Sequence, residues 1–205
     1  MQRFLPYSSQ LSLADCYIVP KRILLLASGT GSLAAAIFEA HNRGEIDADL
    51  VGLISDKQSP ALALARQYGV KDLYIPIFSG RTQWDEEMFD RTEEIKPDLV
   101  VSVGFMRILS PRYVTTFRAI NTHPSLLPLF PGAHAVRDAL AAGVRQTGTT
   151  VHWIDSGLDT GSVISQRSIE ILSSDDESTL HERIKIVERA LIVETLAEYG
   201  RTGKL

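Results

Sequence analysis

From residue 22 the chain alternates short apolar runs with longer amphipathic stretches. Ile23–Ala27 (ILLLA) is a continuous apolar run that stops at SGTGS, the pattern of a strand covered on both faces. Leu33–Asn42 follows with helical spacing, then Leu50–Ser55 (LVGLIS) as a second strand and the Ala/Leu-rich Pro60–Tyr68 as a second helix. Asp72–Ile75 reads as a short third strand, and Thr82–Ile95 as a charged helix ended by Pro97. Asp98–Val103 (DLVVSV) predicts a fourth strand with Gly104 at its end, Pro111–Phe117 a short helix, and Ala119–Thr122 a fifth strand.

Apolar strands alternating with helices imply right-handed βαβ crossovers. The expected class is α/β, a Rossmann-like, mostly parallel sheet with helices on both faces. The later part changes character. Thr149–Ile154 and Val163–Ile171 are extended segments joined by Gly/Asp-rich turns, which suit extra antiparallel strands near the C-terminal part. Ser178–Tyr199 predicts a long closing helix, and Gly143–Thr147 and Ser173–Asp176 read as loops within the same fold. The chain contains no repeat and no low-complexity stretch. Residues 1–20 (MQRFLPYSSQLSLADCYIVP) read as an N-terminal extension, and 21–205 as one domain.

Composition narrows the function. With 205 residues, 44% hydrophobic and 22% charged, the chain is an ordinary folded domain. A net charge of -4 offers no broad basic surface for nucleic acid or an anionic membrane, so positive charge for an anionic ligand must be gathered locally. Cys16 is the single cysteine, which excludes an intrachain disulfide and a cysteine-based metal site. The first 20 residues lack the charged-then-apolar order of a signal peptide, and no apolar run reaches the length of a membrane span. The expectation is a cytoplasmic protein without a metal.

In an open α/β sheet, ligands bind beyond the carboxyl ends of the strands. That singles out SGTGS after the first strand, GFMRIL after the fourth and NTHPSLLP after the fifth. In SGTGS, glycines permit a tight turn, free amides at the following helix start attract an anion, and Ser32 suits an N-cap. Gly29, Gly31 and Ala34 also match a dinucleotide fingerprint, with Asp56 at the end of the second strand. The loop alone therefore fits a phosphomonoester, a dinucleotide or a plain turn. Asn121 and His123 share one face if their segment is extended. An amide donor beside an imidazole can polarise a carbonyl and move a proton. Prolines 124, 128 and 131 fix the loop that follows. Asp155–Gly161 (DSGLDTG) would ordinarily be only a turn; a carboxylate from it that reached His123 would favour the imidazolium and orient the ring.

Taken together, SGTGS, GFMRILSP, NTHPSLLPLFPG and GTTVHWIDSGLDTG resemble the glycinamide ribonucleotide formyltransferases of purine biosynthesis, over about residues 22–200. The resemblance implies formyl transfer from 10-formyltetrahydrofolate to the amine of N1-(5-phosphoribosyl)glycinamide on the way to IMP. It implies a small-molecule substrate, no metal, no nucleic acid, no membrane, and a monomer or homodimer. Residue by residue, it implies Asn121, His123 and Asp159 as a catalytic triad. The amides of Gly31, Ser32 and Leu33 would hold the substrate phosphate, with Lys185 and Glu188 reaching phosphate and ribose and Gly104 and Pro124 completing the substrate site. Arg81, Met106, Arg107, Ile108 and Leu109 would form the folate pocket, together with Asn121 and the loop of Asp155, Ser156, Gly157, Leu158 and Asp159. His152 would stand beside Asn121.

Lys185 and Glu188 also have the i,i+3 spacing of a plain surface ion pair. Leu33 stands where many members carry asparagine, so only a backbone contact is expected there. A sibling that formylates initiator methionyl-tRNA would want a further basic domain, and the formyltetrahydrofolate hydrolase an N-terminal regulatory domain. A dinucleotide-binding oxidoreductase would account for SGTGS but not for NTHPSLLP and DSGLDTG in the same chain.

Overall fold

A computed structural model describes residues 21–78 and 80–205; the expected N-terminal extension lies outside them. The elements in chain order are β1 (Lys21–Leu26), α1 (Ser32–Asn42), β2 (Ala48–Ser55), α2 (Pro60–Gln67), β3 (Asp72–Tyr74), α3 (Arg81–Ile95) and β4 (Leu99–Ser102). They continue with α4 (Pro111–Thr116), β5 (Ala119–His123), α5 (Ala135–Ala141), β6 (Gln146–Trp153), β7 (Val163–Glu170) and α6 (Glu177–Thr202). One seven-stranded sheet has the order β3-β2-β1-β4-β5-β6-β7. The pairs from β3 through β5 are parallel. β6 and β7 then add antiparallel strands.

The apolar run of β1 divides between two layers. Ile23 and Leu25 belong to one, with Ile37 and Phe38 of α1 and Leu191, Ile192 and Leu196 of α6. Leu24 and Leu26 point the other way, into a second layer with Trp84 and Met88 of α3 and Tyr113 of α4. Helices therefore cover both faces, as a strand that is apolar at every position requires.

Three features differ from the sequence reading. Gly31, not Ser32, is the N-cap of α1; it is left-handed (φ 80, ψ 22), and Ser32 is the first helical residue. The stretch 143–147 is not all loop, because Gln146 and Thr147 already pair with Glu170 and Ile169 of β7. Helix α5 has no counterpart in the sequence reading. It has only seven residues, and its N-cap His134 makes no side-chain capping bond, so it carries no start signal. It is held by packing, with Val136 against Leu180 and Ile184 of α6. The closing helix α6 starts at a capping box of Asp176 and Thr179 and ends at left-handed Gly203.

β1 lies between β2 and β4, so the strand order reverses there. The loops after β1 and β4 leave from this switch point, where open α/β sheets bind ligands.

Candidate active site

Asn121 and His123 stand at the carboxyl end of β5, where the antiparallel register sets Asn121 opposite His152 and His123 opposite Thr150. Asn121 Nδ2 is 3.3 Å from His152 Nε2, and His152 Nδ1 is 2.8 Å from the Trp153 carbonyl. The consistent assignment has Nδ1–H donating to Trp153 and Nε2 accepting from Asn121. Burial lowers the His152 pKa, opposed by the Trp153 carbonyl and by Asp159 and Asp155, with His123 acting in the same direction as burial. A neutral ring fits the acceptor role. The second amide hydrogen of Asn121 remains for a ligand.

His123 is 4% exposed. Its Nε2 is 2.8 Å from the Phe130 carbonyl, and its Nδ1 is 3.4 Å from Asp159 Oδ2. Both ring nitrogens face oxygen. Asp159 Oδ2 also accepts from the Gly132 amide at 2.8 Å, and Oδ1 lies 3.6 Å from His152 Nε2. Asp159 has a left-handed backbone (φ 54). The loop after β5 is pinned from β6 and β7. Thr150 Oγ1 donates to the Ser125 carbonyl at 2.6 Å and accepts from Leu127 N and Gln166 Nε2. Gln166 also donates to the Leu127 carbonyl at 2.7 Å. No motif points to Thr150 or Gln166, because their partners are set by strand register.

Beside this cluster is a cavity of about 360 Å³. Asn121, His152 and Asp159 line it, with Met106, Arg107, Ile108 and Leu109 on one side and Asp155, Gly157 and Leu158 on another. Met106, Ile108 and Leu158 are 69%, 64% and 55% exposed, an apolar rim of the kind that marks a binding site. Two residues expected here do not line it. Ser156 is exposed on the loop. Arg81, the first residue of α3, donates to the Ile108 carbonyl and pairs with Asp85 at 2.8 Å, so it props the 106–109 loop from outside. Asp155 also fixes its own turn, accepting from Gly157 N and Thr160 Oγ1.

At the start of α1, no side chain among the described residues caps the helix and no acid occupies its first turn. Its first amides therefore have no side-chain cap, the state in which a helix start can accept an anion. Leu33 is 8% exposed and belongs to the core, so its side chain packs inward while its backbone stays at the loop. Gly104 (φ 78) accepts from Ser28 N at 3.1 Å, which joins this loop to the end of β4. Pro124 is half-buried at the start of the pinned loop. Lys185 pairs with Glu182 at 2.8 Å and not with Glu188. Glu188 is 6% exposed, and burial pushes its carboxyl above the usual carboxylate range, opposed by Thr122, Lys185 and Arg189. The Thr122 hydroxyl lies near it but completes no hydrogen bond. The dinucleotide alternative fails at Asp56. Its side chain is fully buried and held by Ser28 Oγ and Arg107 Nε, out of reach of a ribose diol.

Gly31→Val is expected to lower the melting temperature and raise the substrate KM together. A Cβ at Gly31 would sit 3.0 Å from Ala61 Cα and Cβ, so it meets α2 and not the anion. The left-handed backbone costs about 1–2 kcal/mol and overpacking roughly 1–3 kcal/mol more. Calorimetry beside a KM measurement checks this; an unchanged KM would remove the loop from substrate binding.

The lowered His152 pKa also sets a pH dependence. The unfolded chain takes up the proton first as pH falls, so this contribution is complete above about pH 6.5 and is lost as pH drops below it. His181 acts in the same direction, mainly through burial. Melting curves between about pH 5 and 8 should fall on the acid side. His152→Gln should flatten that slope; an unchanged slope would contradict a buried neutral ring.

The chain matches the formyl transferase family model over residues 21–196. It is 44% identical over 193 residues to phosphoribosylglycinamide formyltransferase of Mycobacterium tuberculosis, covering 90% of this chain and 87% of that protein. It is 40% identical over 184 residues to the trifunctional purine biosynthetic protein adenosine-3 of Drosophila melanogaster, covering 86% of this chain and 14% of that longer protein. The crystal structure of glycinamide ribonucleotide transformylase 1 from Symbiobacterium toebii superposes with a TM-score of 0.85 at 34% identity, covering 89% of this chain and 88% of that one. Among the described residues no group of potential metal ligands is gathered, and no helix is long and apolar enough to cross a membrane. The chain belongs to the formyl transferase family and, within it, to the phosphoribosylglycinamide formyltransferases.

Proposed function

We propose that the protein transfers a formyl group from 10-formyltetrahydrofolate to the amine of N1-(5-phosphoribosyl)glycinamide in purine biosynthesis, as a cytoplasmic enzyme. The observation that carries this reading is the meeting of Asn121, His123 and Asp159 beside an apolar-rimmed cavity at the switch point. The cavity suits a flat pterin, with an apolar rim of Met106, Ile108 and Leu158 and the polar Asn121, His152 and Asp159 in its lining. The amides at Ser32 and Leu33 suit the substrate phosphate, and Glu188 the ribose, with Lys185 close by.

In this reading the amine attacks the formyl carbon and negative charge develops on the formyl oxygen. Asn121 and His123 are the donors for that charge. His123 Nδ1 faces Asp159 at 3.4 Å and Nε2 the Phe130 carbonyl at 2.8 Å, so the carboxylate orients the ring as charge develops on the formyl oxygen. A proton passes from the attacking nitrogen to the departing folate nitrogen, with His123 or an ordered water as relay. The test is an assay of purified protein with both substrates, following release of tetrahydrofolate and formylation of the amine. Release without formylation would indicate a hydrolase, and no release at all would overturn the reading.

A further inference from the structure

The carboxyl end of β2 carries a buried charge that the chemistry above does not use. The Asp56 side chain is fully buried. Its Oδ1 accepts from Ser28 Oγ at 2.5 Å and its Oδ2 from Arg107 Nε at 2.6 Å. Ser28 Oγ in turn accepts from Met106 N at 2.9 Å. One carboxylate thus connects the start of the 28–33 loop with the 105–109 loop. Arg81 holds the second loop at the Ile108 carbonyl, while Met106 and Arg107 are held through Ser28 and Asp56. Phe105 and Leu109 are buried at its ends, but Met106 and Ile108 between them face solvent, so packing does not fix the middle.

We propose that Asp56 is a positioning residue that holds Arg107 and the 105–109 loop against the 28–33 loop, and so sets the separation of the folate and phosphate sites. This rests on the formyl-transfer reading. A buried carboxylate without partners is strongly unfavourable, so the two partners and Asp56 form one unit. Removing any member should disturb the same loop.

The experiment measures the Kd of tetrahydrofolate by calorimetry in wild type, Asp56→Asn, Arg107→Met and the double variant, with melting temperatures and kcat alongside. Asp56→Asn keeps the size and an acceptor for Ser28 while removing the charge that faces Arg107. It should weaken folate binding about tenfold, as for loss of one charge-assisted hydrogen bond. The double variant should be no weaker than the worse single one, because the two act as a unit. Ser28→Ala provides a second route to the same loop should Asp56→Asn not fold. A Kd within twofold of wild type, or singles that multiply in the double variant, would overturn the role of Asp56. A lower melting temperature with unchanged Kd would also overturn it, leaving only a stabilising role. Wild-type protein that binds no tetrahydrofolate would overturn both this inference and the formyl-transfer reading, whereas wild-type turnover with an unchanged Asp56→Asn Kd sinks this inference alone.

Discussion

His123→Ala should lower kcat by about 10²–10⁴-fold with little change in either KM, the usual size for loss of a positioned acid–base group. The ring is buried, bonded to the Phe130 carbonyl on one side and facing Asp159 on the other. Asn121→Ala should cost about 10²–10³-fold, as for loss of one oxyanion donor. Both interactions belong mainly to the transition state, so the loss falls on kcat. Single-turnover kinetics check this directly. Near-normal turnover in His123→Ala would sink the mechanism.

Asp159→Asn should lower kcat by about 10²–10⁴-fold while the fold stays intact. Asparagine tolerates the left-handed backbone and can still accept from the Gly132 amide. The variant therefore isolates the charge. It should also push the His152 pKa further down, since Asp159 now opposes the effect of burial there. Asp159→Leu lacks both features and should lose stability as well. Kinetics, melting curves and an NMR titration of His152 separate these effects. A full-speed Asp159→Asn enzyme would remove the carboxylate from the chemistry.

The parallel half of the sheet is legible in the sequence because strands covered on both faces leave continuous apolar runs, as in Ile23–Ala27 and Asp98–Val103. Asn121 and His123 are legible from a period of two at a strand end. Partners fixed by register or by the folding back of loops are not. Arg81, expected in the folate pocket, donates to the Ile108 carbonyl; Lys185 takes Glu182 in place of Glu188; Ser32 yields the cap position to Gly31. Asp56 fits a dinucleotide fingerprint in the sequence, yet Ser28 and Arg107, both distant along the chain, share its carboxylate in the fold. Local pattern carries an element's face and ends, but not which distant side chain completes its charge.

The central place of β1 constrains the order in which the chain folds. β1 pairs on one side with β2, close in sequence, and on the other with β4, where Leu26 meets Ser102. The second pairing closes a long loop and is the slower kind of contact to form. Both ligand loops face each other only after that closure. A chain folded as far as β3 holds the 28–33 loop but none of the cavity lining, which begins at Ser102, and ligands, which stabilise only states that bind them, give such an intermediate no help. Folate and substrate should therefore slow unfolding of the finished protein without speeding its assembly.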